Sequence, residues 1–100
     1  MDREWPAHER AAFLAAARDF PELAGLHDLR TRHAGTNRFV QFHVWVPADW
    51  TVREAHDRMD AVEQKLRARF PGTEFLIHLD PEGQVDRETI LPHAITEQRP

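Results

Sequence analysis

Apolar and polar residues alternate along two segments of the chain, RFVQFHVWVP and TEFLIHLDP. Successive side chains of a β-strand point to opposite faces of the sheet, so each segment predicts a strand with one apolar face. In the second segment, Ile77 and Leu79 share the apolar face. In the first segment, that face carries four side chains: Val40, Phe42, Val44 and Val46.

A helical period marks two other segments. The alanine-rich segment AHERAAFLAAARDF predicts a first helix that ends before Pro21. A longer amphipathic helix is predicted after Thr51, which is a suitable N-cap with Glu54 as its capping-box partner, and it ends at Pro71 and Gly72. Its apolar stripe is predicted to consist of Val52, Ala55, Met59, Val62, Leu66 and Phe70.

A third strand is predicted over HDLRTRHA, and a hairpin-like turn at Gly35, Thr36 and Asn37 joins it to the next strand. The elements then follow the order α-β-β-α-β, which predicts a single α+β domain over residues 1–86. Residues 87–100 show no comparable pattern. We expect them to form a weakly ordered C-terminal tail.

The amino-acid composition limits the classes of function that the chain can have. The 100 residues carry 13 lysines and arginines against 17 acids, and this net charge of -4 disfavours a nucleic-acid partner. The chain has seven histidines and no cysteine, so disulfides and thiolate metal sites are excluded. No apolar run approaches the roughly 20 residues of a membrane-spanning helix, and MDREWPAHER has no signal-peptide hydrophobic region. We expect a soluble chain on the cytosolic side.

Histidine and aspartate side chains fall on the faces that the apolar residues leave free. His78 and Asp80 share one side of the last predicted strand, and His43 lies on the polar face of RFVQFHVWVP. An imidazole and a carboxylate on one side of a strand can hold a divalent cation, and these donors suit zinc, cobalt, nickel, copper or iron. On the second helix, His56 lies one turn before Asp60, a spacing at which the carboxylate can orient the imidazole.

Five segments of the chain resemble the carboxy-terminal cytosolic domain of cation diffusion facilitator transporters, which export zinc and iron. They are MDRE, GLHDLRTR with Gly35, Arg38 and Phe39 after it, QFH, EAHDRMDAVEQ and RFPGTEFLIHLDP. The resemblance extends over roughly residues 1 to 86. It implies a metallochaperone-like (ferredoxin-like) fold that pairs into a V-shaped homodimer, with a binuclear zinc site near the dimer interface.

The resemblance also implies which residues bind metal. The family's ligands fall on five positions, of which the aspartate bridges the two ions: His27, His43, His56, His78 and Asp80. Asp2 falls where the family has an acid after the last transmembrane helix, and His33 stands where close relatives often have glutamine, so it could add or shift a ligand. His93 has no counterpart in the family.

The function implied is that of a metal-sensing regulatory and dimerisation domain of a divalent-cation efflux transporter, without enzymatic activity. Zn²⁺ is the expected ion, and it would close the dimer and activate transport. The expected partners are a second copy of the chain, divalent metal ions and the transmembrane domain of the same transporter. The domain would lie on the cytoplasmic side of the cell membrane. The aromatic residues Phe39, Trp45 and Trp50 would suit the dimer interface, and the alternative is that the tail or the first helix covers them.

Three other classes are possible from the sequence. A stand-alone soluble metal-binding or metal-carrier protein would share the order of elements, although the two thiolates of copper chaperones are missing. A metallohydrolase would use similar ligands, but the chain has no HExxH motif and no evident general base. An RNA-binding sheet could stack bases on Phe39 and Trp45, but the negative charge disfavours it.

Overall fold

A computed structural model describes residues 2–83 of the chain. From the first helix onward it has the predicted α-β-β-α-β order, and one short strand precedes that helix. The predicted tail, residues 87–100 with His93, lies outside the described residues. The elements are β1 (Asp2–Arg3), α1 (Ala7–Ala17), a 3₁₀ turn (Pro21–Leu23), β2 (Leu26–Ala34), β3 (Asn37–Val46), α2 (Val52–Arg69) and β4 (Thr73–Pro81).

The four strands form one sheet in the order β1-β2-β3-β4. β2 and β3 form the predicted antiparallel hairpin, with Ala34 opposite Asn37 and Gly35 at a positive φ of 66° in the turn. β4 pairs with β3 in the parallel direction, because α2 returns the chain to the opposite end of the sheet. Within residues 2–83, neither helix has the length and apolar composition that a membrane-spanning helix needs.

The hydrophobic core lies between one face of the sheet and the helices. The four alternating side chains of β3 that the sequence predicts to be apolar are all buried, at 7% exposure or less. Phe13 of α1 is fully buried, with its ring centroid 5.8 Å from that of Phe42, 5.5 Å from that of Phe70 and 6.1 Å from that of Phe75. The alternate residues of β3, among them His43, therefore face away from the helices.

The second helix begins as predicted, but its apolar stripe is shorter. The Glu54 backbone N–H donates to Thr51 Oγ1 at 3.0 Å, which confirms the N-cap. Val52 is 87% exposed, so its predicted place in the core is wrong. Val52 is the first residue of the helix, and the buried stripe starts one turn later: Ala55, Met59, Val62 and Leu66.

The short strand β1 is anchored by Trp5, which is 3% exposed. Its indole Nε1–H donates to the Arg32 carbonyl at 3.0 Å, and the Arg38 guanidinium lies 4.1 Å above its ring. Arg38 also pairs with Glu9 of α1 at 3.0 Å, and His33 Nε2 lies 3.7 Å from the same carboxylate. His33 therefore belongs to a charged cluster beside α1.

Candidate metal centre

Three adjacent strands bring the candidate ligands into one row across the sheet. In the pairing register His27 of β2 lies opposite His43 of β3, and His43 lies opposite His78 of β4. Two residues further along, Trp45 lies opposite Asp80. Because side chains alternate along a strand, all five of these residues share the face of the sheet that the helices do not cover.

Asp80 is the centre of the group. Its Oδ2 lies 3.2 Å from His27 Nε2 and 3.0 Å from His43 Nδ1. One ligand atom from each of the three residues lies within 4.8 Å of the other two, a spacing that a single metal ion can span. Their side chains are only 30–33% exposed, so water screens the carboxylate less than it would at an open surface.

The tautomer of His27 is fixed by the backbone. His27 Nδ1 lies 2.8 Å from the carbonyl oxygen of Gly25, and since a carbonyl only accepts, Nδ1 carries the proton and donates it. In a neutral ring, Nε2 then presents its lone pair to Asp80 Oδ2, which is also an acceptor. Two acceptors 3.2 Å apart repel each other unless a cation shares them. The arrangement therefore fits a bound metal ion or an additional proton.

Gly25 and Trp45 shape the wall beside His27. The indole of Trp45 stacks on the imidazole with centroids 4.4 Å apart and planes at 12°. A Cβ on Gly25 would lie 2.9 Å from Trp45 Cβ, so this close approach needs glycine. The Trp45 backbone N–H donates to the Gly25 carbonyl at 3.2 Å, and that oxygen thus accepts from both the strand and the imidazole.

Comparison with known proteins identifies the family of this chain. The family model ZT_dimer, described as the cytoplasmic domain of cation efflux proteins, matches residues 5–82. The chain belongs to this family. The cation-efflux pump FieF of Shigella flexneri serotype 5b (strain 8401) is 40% identical over 88 residues, which are 88% of this chain and 29% of the pump. The chain thus spans less than a third of the length of the curated relatives it matches.

Two solved structures of CzrB, described as a candidate zinc transporter, have the same fold as this cation efflux domain. One is 37% identical with a TM-score of 0.71, and the match covers 79% of this chain and 99% of that one. The other, a Zn form, is 40% identical with a TM-score of 0.69 and covers 84% and 97%. The metallochaperone-like fold that the sequence indicated is therefore confirmed.

His78 of the cation efflux domain lies beside the group without being part of its closest set. Its ring stacks on that of His43, with centroids 4.7 Å apart and planes at 17°. Among the residues that the structure describes, the set of mutually close ligand atoms contains His27, His43 and Asp80. His78 shares their face of the sheet, as its spacing from Asp80 predicted, and its role as a ligand stays a prediction.

His56 is the predicted ligand that the fold keeps apart from the others. It lies on α2, its side chain is 69% exposed, and its Nδ1 is 3.5 Å from Asp60 Oδ2, as the spacing predicted. The buried stripe of α2 packs on the core face of the sheet, whereas His27, His43 and Asp80 lie on the opposite face. Within one chain, the sheet therefore separates His56 from the group.

The structure adds two residues that were not predicted from the sequence. Gly25 fixes the tautomer of His27, and Asp28 brings a second carboxylate to 3.8 Å from His43 Nε2. The signal in the sequence is the string GLHD, in which glycine and aspartate flank the leucine–histidine pair. His8, which is 82% exposed, takes no part.

The donor set suits a divalent transition metal. Neutral imidazoles and a carboxylate are typical ligands of Zn²⁺, and they also bind cobalt, nickel, copper and iron. The residue types, the half-buried position and the lone pairs that His27 and Asp80 direct toward each other all fit such an ion.

Proposed function

We propose that this chain is the metal-sensing regulatory and dimerisation domain of a divalent-cation efflux transporter, with Zn²⁺ as its expected ion. The observation that carries the proposal is the contact between two acceptors, His27 Nε2 and Asp80 Oδ2, at 3.2 Å beside His43. The similarity to the Zn form of CzrB supports zinc as the ion. The domain's role is binding and regulation, without catalysis.

In this proposal one chain contributes four ligands and Asp80 bridges two ions. Asp80 Oδ2 lies near both His27 and His43, and the other carboxylate oxygen would be available to hold a second ion. His78 stacks on His43 on the same side of the sheet, where its imidazole would be the fourth ligand from this chain.

The fifth ligand, His56, is proposed to come from a second copy of the chain. The sheet separates His56 from the group within one chain, and its exposed position on α2 leaves it accessible to a partner. A two-fold symmetric dimer would repeat this contact, because each chain then offers its His56 to the other chain's sheet.

The open face of the sheet supports the homodimer. Leu76 is 54% exposed there, and Phe39 lies beside it on β3 under the Arg32 guanidinium. Each chain carries a net charge of -4, so two copies repel each other and metal ions shared between them offset that repulsion. Metal would then favour a closed, V-shaped dimer by its higher affinity for that state. In a full transporter, closure would be transmitted to the transmembrane domain and activate transport.

Zinc titration tests the metal and the dimer together. Zinc at about 100 times its Kd would stabilise the folded chain by about 2.7 kcal/mol, which raises the Tm of a domain of this size by about 10 °C or more. Sedimentation velocity would show a more compact dimer in zinc. A melting curve that does not change at saturating zinc contradicts the sensing role. A monomer that binds zinc without dimerising would indicate the metal carrier instead.

Mixing two variants tests whether His56 crosses the interface. Neither His56→Ala nor Asp80→Ala alone would retain a complete site. In an equal mixture, about half of the dimers are mixed, and each mixed dimer has one complete site, so about a quarter of all sites recover. Isothermal titration calorimetry measures that fraction. No recovery in the mixture, with both variants folded and dimeric, places His56 outside the shared site.

A further inference from the structure

Asp28 has a backbone conformation that aspartate rarely adopts. Its φ is 56°, and it is the one residue other than glycine with a positive φ among those that the structure describes. Side chains with a Cβ are strained in this left-handed region, although aspartate tolerates it better than most. Asp28 follows His27 directly, and the pairing of β2 with β3 is irregular between His27 and Arg30.

The irregular pairing allows two consecutive side chains to approach the same imidazole. In a regular strand, neighbouring residues such as His27 and Asp28 point to opposite faces. Here the His27 ring centroid is 5.5 Å from that of His43, while Asp28 Oδ2 is 3.8 Å from His43 Nε2. A bulge of this kind redirects a side chain beside a functional site.

His43 consequently has a carboxylate near each of its ring nitrogens. Nδ1 lies 3.0 Å from Asp80 Oδ2, and Nε2 lies 3.8 Å from Asp28 Oδ2. A neutral imidazole has a single N–H, so one nitrogen donates and the other presents a lone pair. A proton on Nε2, toward Asp28, leaves Nδ1 free to bind an ion together with Asp80 and His27.

With the proton on Nε2, His43 would resemble His27, because each ring would hold its proton on the nitrogen that lies away from Asp80. The Gly25 carbonyl accepts the Nδ1 proton of His27 on the side away from Asp80, and Asp28 lies on the corresponding side of His43. At 3.8 Å the contact is longer than a direct hydrogen bond, so it acts through charge or through one bridging water. Partners of this type fix the tautomer of metal-binding histidines and strengthen metal binding.

We infer that Asp28 is a positioning residue of the metal centre, which holds the proton of His43 on Nε2 so that Nδ1 faces the metal. The inference rests on the proposed function. The competing explanation is that Asp28 only forms the bulge and pairs with Arg30, whose Nε lies 3.7 Å from Asp28 Oδ1. The two roles predict different zinc affinities for a variant that loses the carboxylate and keeps the backbone conformation.

The substitution Asp28→Gly separates the two roles. Glycine adopts a positive φ without strain, so the metal-free variant should melt at the same temperature as the parent or higher. Its zinc Kd, measured by calorimetry with zinc chloride, should rise about tenfold, at the lower end of the range for loss of such a partner. Asp28→Asn should lie between, because an amide oxygen still accepts the proton but carries no charge.

Glu74→Gln is the matched control. Glu74 is exposed on the same face of the sheet, and it pairs with Phe39 at the other end of β3, so the variant removes the same charge far from His43. Its zinc Kd should stay within about twofold of the parent's, since exposed charges beyond a Debye length of about 8 Å are screened. Cobalt chloride provides a second readout, because the visible absorption of bound Co²⁺ should change in Asp28→Gly and not in Glu74→Gln.

The outcomes are distinct. A Kd for Asp28→Gly equal to the parent's, or an equal loss of affinity in Glu74→Gln, overturns the positioning role and leaves the proposed function standing. If Asp28→Gly melts at a lower temperature than the parent, the zinc Kd of Asp28→Asn is the deciding measurement, and a Kd equal to the parent's overturns the positioning role. A parent chain that binds neither zinc nor cobalt overturns the proposed function and this inference together.

Discussion

Replacing Gly25 with alanine should damage both the stability of the domain and its metal centre. An added Cβ would lie 2.9 Å from Trp45 Cβ and 3.2 Å from the Trp45 backbone nitrogen. Neither atom is at the end of a flexible side chain, so the backbone of β2 or β3 must move. That movement also lengthens the 3.2 Å hydrogen bond from the Trp45 N–H to the Gly25 carbonyl.

The expected loss of stability follows from these contacts. Overpacking costs about 1–3 kcal/mol, and a weakened backbone hydrogen bond adds up to about 1 kcal/mol. A total of about 2 kcal/mol lowers the Tm of a 60–100-residue domain by about 8–16 °C. Thermal unfolding followed by circular dichroism, without metal, measures this change directly.

The same substitution should weaken zinc binding, because the displaced carbonyl no longer holds the Nδ1 proton of His27 at 2.8 Å. We expect the zinc Kd to rise about tenfold or more. Gly35→Ala is the control, because Gly35 has a positive φ of 66° and nothing lies within 4 Å of a Cβ added there. It should cost about 1–2 kcal/mol through backbone strain and leave the zinc Kd unchanged. A Gly25→Ala variant with the Tm and zinc Kd of the parent would refute this reasoning.

Two further predictions concern the ligands. Asp80→Ala removes the carboxylate that lies near both His27 and His43, so it should abolish the second zinc-binding event and weaken the first. Calorimetry that finds the parent's stoichiometry in this variant contradicts the bridging role. His8 is exposed, so the control variant His8→Ala should bind zinc as the parent does. Zinc affinity should also fall more than tenfold per unit as pH decreases from about 7 to about 5.5, because histidines gain a proton between about pH 5 and 8 and must be neutral to bind metal. A zinc Kd that stays constant over this range would argue against a histidine-rich site.

The regular elements could be predicted from the sequence because local patterns determine them. The alternation in β3 follows from a strand with one buried face, and the capping of α2 by Thr51 depends on residues four positions apart or fewer. The shared face of His78 and Asp80 on β4, and the position of His43 away from the apolar face of β3, follow from the same alternation. These features need no knowledge of tertiary contacts.

Other features depend on tertiary contacts, and these could not be predicted. β1 is only two residues long, and it pairs with β2 because Trp5 is buried beneath Arg38 and bonds to the Arg32 carbonyl. The positive φ of Asp28 arises from the irregular pairing of β2 with β3, which no local pattern specifies. The pattern also cannot show that the sheet separates His56 from the other ligands, since that depends on how the layers pack.

The parallel pairing of β3 with β4 has a consequence for the kinetics of folding. His27 and Asp80 are 53 positions apart in the chain, and they meet only after α2 has carried β4 back alongside β3. Such long-range pairing closes a large loop and is slow to form, so we expect it to be incomplete in the folding transition state. Metal that needs this pairing would stabilise the native state more than the transition state. Bound metal would then slow unfolding and leave the folding rate nearly unchanged, so that zinc determines the lifetime of the native state.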